Sequence, residues 1–197
     1  YRSRGLGDVY KRQTILMAAI AIFSVGFLLD LDDVDAAPEG STYPDAEVLV
    51  VGQQWWWEYH YYLDGIEGAD QPDLVTANEL VIPVNQDIRI YTTSRDVIHS
   101  FWIPRLNGKK DAVPGRTTPW VIQSNEVGRF AGQCTEFCGL SHAYMRMYTI
   151  ALPHEEFSMW VDNQIKVRTP LTEDDPNYEG EQLFITNCAR CHAINGV

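Results

Sequence analysis

The chain is poor in histidine, cysteine, methionine and positive charge. Its 197 residues hold 5 histidines, 4 cysteines and 4 methionines, and 15 lysines and arginines against 27 aspartates and glutamates. Each shortage excludes something. A net charge of -12 argues against a nucleic-acid partner, which needs a basic footprint. It suits a basic protein met by electrostatic steering, and equally a merely soluble acidic surface. The cysteines form two closely spaced pairs, Cys134 with Cys138 and Cys188 with Cys191. That is the spacing of metal or cofactor ligands, so no structural disulfide is predicted. No grouping of side chains has the pattern of a nucleophilic or general acid–base centre, so no catalytic residue is assigned.

Ligand chemistry is concentrated in residues 133–148, Q-C-T-E-F-C-G-L-S-H-A-Y-M-R-M-Y. Cys134, Cys138, His142 and Met145 offer two thiolates, an imidazole and a thioether, a soft set that suits copper best. Zinc accepts thiolate and imidazole but has no use for a thioether. A further strong ligand must come from elsewhere, and His99, in S-R-D-V-I-H-S-F-W-I-P, is the candidate. The rival reading is a Cys134–Cys138 disulfide beside an ordinary histidine.

Together D-V-I-H-S-F-W-I-P, C-T-E-F-C-G-L-S-H-A-Y-M, the aromatic run Q-W-W-W-E-Y and K-K-D-A-V-P-G-R resemble subunit II of the cytochrome c oxidases, over about residues 48–153. The resemblance implies a binuclear copper (CuA) site. Cys134 and Cys138 would bridge two copper ions, and His99 and His142 would each cap one. Met145 and the Glu136 carbonyl would be weak axial ligands. It also implies that Trp55 is the electron-entry tryptophan, with a core tryptophan as the rival. The Glu136 carboxylate would bind magnesium at the contact with subunit I, or would simply be solvated. Lys110, Asp111 and Arg116 would face subunit I. Asp96, three residues before His99, is expected to hold that loop or to cap a turn, and His60 to lie at the surface or beside the ligands.

The length allows one domain of about 100–150 residues plus appendages. Residues 1–13 show no apolar period and are read as a non-native or disordered leader. Residues 14–29, T-I-L-M-A-A-I-A-I-F-S-V-G-F-L-L, carry no charge. They fall short of the about 20 residues of a full span, as a transmembrane helix cut at its start would. A signal peptide has an apolar region of this length, but no small-x-small site follows it. The resemblance implies two membrane helices, this being the second. Residues 30–44 are an acidic linker. Short β-branched and aromatic runs between turn signals then predict a mainly β sandwich or barrel over 45–153; the resemblance narrows it to a cupredoxin-like Greek-key barrel. Alternation puts Trp55, Trp57, Tyr59 and Tyr61 on one face of a strand. Residues 154–166 switch to helical period, with Phe157, Trp160, Val161 and Ile165 on one side, and 167–176 are a second linker.

Residues 177–197 contain C-A-R-C-H, the signal for covalent haem c attachment. Cys188 and Cys191 would bond the haem vinyls and His192 the iron, with Leu183 and Phe184 of a preceding entry helix turned inward. None of the methionines follows this motif, so the sixth ligand is lacking and the segment reads as the start of a small all-α cytochrome c domain in a fragment. Some bacterial members of the family fuse a cytochrome c in this way. The reading is therefore an oxidase subunit passing electrons from fused or soluble cytochrome c through CuA to haem a in subunit I, where oxygen is reduced and protons are moved. The copper domain would stand on the periplasmic or extracellular side of a cell membrane. Two alternatives remain. The CuA domain of a nitrous oxide reductase should be accompanied by a histidine-rich copper domain, and a zinc-binding module should be redox-silent.

Overall fold

A computed structural model describes residues 4–30, 37–167, 169–189 and 192. Helix α1 is Arg4–Asp30. Within it the 23 residues Gly7–Leu29 are long and apolar enough to cross a membrane, and their apolar side chains are not buried. At 1.5 Å per residue that stretch extends about 35 Å, enough for a hydrocarbon core of about 30 Å. The helix therefore does not start at Thr14. Residues 4–13, expected to be a non-native or disordered leader, are helical and continue α1 without a break. Residues 31–36 of the first linker lie outside the described residues.

Ten strands follow among the described residues: β1 Glu47–Gln53, β2 Trp56–Tyr62, β3 Leu74–Ala77, β4 Glu79–Pro83, β5 Ile88–Ser94, β6 His99–Trp102, β7 Lys109–Ala112, β8 Thr118–Ile122, β9 Gly128–Gln133 and β10 Arg146–Leu152. They form a five-stranded sheet β3-β2-β1-β5-β8, a three-stranded sheet β4-β10-β9 and the pair β6-β7. β1 runs parallel to β5 and β10 parallel to β4, so the chain crosses between sheets instead of meandering within one. The mainly β expectation holds, and the alternation of β2 explains why. Trp57, Tyr59 and Tyr61 are 0–1% exposed, while Trp56, Glu58 and His60 are half-buried on the other face. Burying each inward ring contributes on the order of 2 kcal/mol.

The Tyr61 hydroxyl fastens one sheet to the other. It accepts the Val81 N–H at 2.7 Å and donates to the Val81 carbonyl at 3.1 Å. Phe101 of β6 meets Trp57 edge-on at 5.1 Å and Trp120 at 6.0 Å, so the β6-β7 pair is seated on the same core. Helix α2, His154–Ile165, buries Phe157 and Val161. Trp160 stacks on Phe157 at 5.7 Å and reaches Tyr61 at 5.4 Å. Ile165, expected on that face, is 46% exposed at the end of the helix.

Helix α3, Tyr178–Asn187, corrects one expectation. Leu183 is 64% exposed and Phe184 only half-buried, whereas Glu181 is buried. The reason is local: the Glu181 carboxylate accepts the Leu171 N–H at 3.1 and 3.2 Å, so that side of the helix turns toward the preceding linker.

Candidate metal centre

Two glycines let the site assemble. A side chain on Gly132 of β9 would bring a Cβ to 2.6 Å from the Trp102 carbonyl oxygen, 2.7 Å from Ile103 Cγ1 and 2.8 Å from Met147 Sδ. Its absence lets β9 press against the end of β6. Gly52 of β1 likewise leaves room for the His99 ring, which a Cβ there would meet at 3.0 Å. His99 is wholly buried, its ring 5.9 Å from Trp57. Main-chain bonds complete the seam. Thr135 N–H donates to the Ser100 carbonyl at 3.0 Å, and Cys134 N–H to the Met145 carbonyl at 2.9 Å. The loop between β9 and β10 turns at Gly139, whose φ of +114° suits glycine. It then passes through a short 3-10 turn, His142–Tyr144.

This arrangement gathers the donors predicted from sequence. Cys134 Sγ and Cys138 Sγ are free thiols 3.8 Å apart. His99 Nδ1 lies 3.8 Å from Cys134 Sγ, and His142 Nδ1 3.5 Å from Cys138 Sγ. Met145 Sδ is 3.7 Å from Cys138 Sγ, and the Glu136 carbonyl oxygen 3.3 Å from Cys134 Sγ. Ligand atoms of His99, Cys134 and Cys138 all fall within 4.8 Å of one another. Among the described residues that cluster includes no carboxylate. Two thiols, imidazole and a thioether with a single carbonyl oxygen and no carboxylate fit copper and would be a poor cradle for magnesium or calcium.

Electrostatics favours ionised thiol at one position. Burial pushes the Cys134 thiol up, but hydrogen bonds from His99, from the Ser100 and Glu136 backbone and from His142 outweigh it and leave it at about 7. Cys138 is pushed up, by burial first and then by the charge on Cys134. Burial lowers the basicity of His99, yet contact with Cys134 and Asp96 raises it overall. The Asp96 carboxylate accepts from His99 Nε2 at 2.9 Å, from Val97 N–H at 2.6 Å and from Gln54 N–H at 2.7 Å. Desolvation raises its pKa, and these bonds more than reverse the effect.

Trp55 lies in the turn before β2, not in the strand, and its indole N–H donates to the Cys138 carbonyl at 3.1 Å. The Glu136 carboxylate is exposed, with its carbonyl turned to Cys134. Lys110 is half-buried, and Asp111 and Arg116 are exposed. His60 bonds to Glu58 and is absent from the cluster. Cys188 and His192 are exposed, with the His192 N–H donating to the Cys188 carbonyl at 3.0 Å; Cys191 lies outside the described residues. Sequence reasoning did not find Gln54, Gly52 or Gly132. A glycine inside a strand pattern was the available signal for the last two.

Residues 46–151 match the family described as cytochrome c oxidase subunit II, periplasmic domain. The chain belongs to the cytochrome c oxidase subunit II family. Subunit 2 of Alkalihalophilus pseudofirmus is 34% identical over 183 residues, covering 92% of this chain and 51% of that protein. Subunit 2 of Branchiostoma floridae is 35% identical over 161 residues, covering 75% of this chain and 67% of that protein. The crystal structure of the periplasmic domain of subunit II of cytochrome oxidase from Bradyrhizobium japonicum superposes with a TM-score of 0.55 at 31% identity, over 67% of this chain and 96% of that one. The chain spans about half the length of subunit 2 of Alkalihalophilus pseudofirmus and of Bacillus sp. strain PS3, 51% and 50%. Membership of this subunit II family agrees with the mainly β fold and with a membrane-anchored chain.

Proposed function

We propose that this chain is the copper-bearing part of subunit II of a haem–copper cytochrome c oxidase. The observation that carries the reading is the pair of free thiols 3.8 Å apart, each with an imidazole Nδ1 within 3.8 Å. A pair of copper ions bound there would supply one-electron transfer from cytochrome c to haem a of subunit I, where oxygen is reduced to water and protons are translocated.

The chain's own residues prepare the site. Cys134 and Cys138 would hold the copper through sulfur, and His99 and His142 through one nitrogen each. Met145 Sδ and the Glu136 carbonyl, beside the two thiols, would add weak donors. Asp96 keeps the proton on His99 Nε2, leaving Nδ1 free to bind. Trp55, tied to the Cys138 carbonyl, is the entry point for electrons. Leu140, Tyr144 and Phe137, exposed at 95%, 81% and 76%, form an apolar rim of the kind that partners cover. Cys188, Cys191 and His192 would hold haem c in a fused cytochrome c domain. The Glu136 carboxylate would take magnesium at the face toward subunit I, with Lys110, Asp111 and Arg116 as contacts there. The barrel would stand on the periplasmic side.

The test is rapid mixing of the copper-loaded chain with reduced cytochrome c. The expected result is one-electron reduction whose rate falls steeply as salt screens the net charge of -12. A loaded chain that cytochrome c fails to reduce at any salt concentration contradicts the proposal.

A further inference from the structure

Two halves of the metal centre come from distant parts of the chain: His99 from the start of β6, and Cys138 from the loop after β9. One residue is tied to both, to Cys138 directly and to His99 through Asp96. The Gln54 main-chain N–H donates to Asp96 Oδ2 at 2.7 Å, and the other oxygen of that carboxylate accepts from His99 Nε2 at 2.9 Å. The Gln54 side-chain Nε2 donates to the Cys138 carbonyl at 2.7 Å. That same carbonyl accepts the Trp55 indole N–H at 3.1 Å. A Cβ on Gly139 would stand 3.0 Å from Gln54 Nε2 and 3.2 and 3.3 Å from the Trp55 ring, so a side chain at 139 would crowd both donors.

We infer that Gln54 is a positioning residue. Its amide fixes the Cys138 carbonyl at the one place where the Trp55 indole can also reach it, and so sets the contact between the entry tryptophan and a metal-bound cysteine. Resting on the function proposed above, this adds a residue to it. The route it creates is short. From the Trp55 indole N–H one hydrogen bond leads to the carbonyl, and the covalent frame of Cys138 leads on to Sγ. Without Gln54 the carbonyl keeps one donor and the loop can rotate away from it. Because Gln54 is itself exposed, its replacement leaves the barrel core untouched. The contribution asked of it is positional, not one of bulk stability.

The test uses the full chain in lipid nanodiscs, with tryptophan labelled at the indole nitrogen and the Trp55 signal assigned by its loss in Trp55→Phe. Gln54→Ala removes the side chain; Gln54→Glu keeps its size but cannot donate. In the metal-free chain, exchange of the Trp55 indole proton is expected to quicken by roughly 2- to 10-fold in both variants, the loss of one neutral hydrogen bond. In the copper-loaded chain the cysteine β-proton hyperfine couplings are expected to shift in both, with copper content unchanged. If Gln54→Glu behaves as wild type in exchange, packing and not donation holds the turn, and the inference is overturned; so it is if neither variant differs. A wild-type chain without the binuclear copper signal sinks the proposed function, and the exchange experiment still decides the role of Gln54.

Discussion

Asp96 accepts from His99 Nε2 at 2.9 Å, and the opposite ring nitrogen of His99 faces Cys134 Sγ at 3.8 Å. The carboxylate therefore chooses the tautomer. With one proton held on Nε2, Nδ1 is the nitrogen that gives up its bond to Cys134 and presents a lone pair when a metal binds, and ring rotation is opposed from both sides. Replacing Asp96 by Ala is expected to weaken copper binding by about 10- to 100-fold, as read by competition with a copper chelator, and to lower the melting temperature, because the buried His99 N–H loses its acceptor. Equal affinity in the variant would show that burial against Trp57 alone orients the ring.

The two thiols should lose their protons far apart in pH. The pKa of Cys134 is depressed to about 7, so its thiolate is present above that pH and lost below it. The sign for stability follows. A depressed folded-state pKa contributes stability that is complete above the unfolded thiol value of about 8.5 and disappears as pH falls through about 7. In metal-free chain carrying Cys188→Ser and Cys191→Ser, ultraviolet thiolate absorbance should rise by one equivalent near pH 7, with the second thiol ionising only at strongly alkaline pH. Simultaneous ionisation of both near the ordinary thiol value would contradict the electrostatic account of the site.

Gly132 is the tightest point in the scaffold beneath the site. Because the atoms that an added Cβ would strike include the Trp102 carbonyl, part of the backbone, the clash cannot be relieved by a side-chain rotation alone. Gly132→Ala should cost about 1–3 kcal/mol in thermal or denaturant unfolding. It should also reduce copper retention, since β9 runs directly into Cys134. A variant with unchanged stability would mean that β6 and β9 can separate freely.

Much of this was legible in the sequence because the ligands carry their chemistry in their types and spacing: Cys134, Cys138, His142 and Met145 lie on one loop. The strands rich in branched and aromatic residues, such as β5 and β10, were equally plain. β3 and β7 were not. β7 reads K-K-D-A, with no apolar alternation, and it is a strand only because it pairs with β6. The start of α1 was missed because its polar turns lack an apolar period and are carried by continuity with the apolar stretch. Leu183 was assigned inward by analogy, whereas the buried Glu181 answers to a backbone N–H of the linker. Gln54 was invisible for a different reason. Its partner Cys138 is 84 positions away, and nothing in the type of either residue announces the bond.

The most direct measurement is paired metal analysis and electron paramagnetic resonance on the chain after copper loading, for wild type, Cys134→Ser and Cys138→Ser. The expected result is two coppers per chain in the wild type, sharing one unpaired electron in a mixed-valence signal that both serine variants lose while keeping their β fold. A single isolated copper, a preference for colourless zinc, or survival of the shared-electron signal in either serine variant would contradict it.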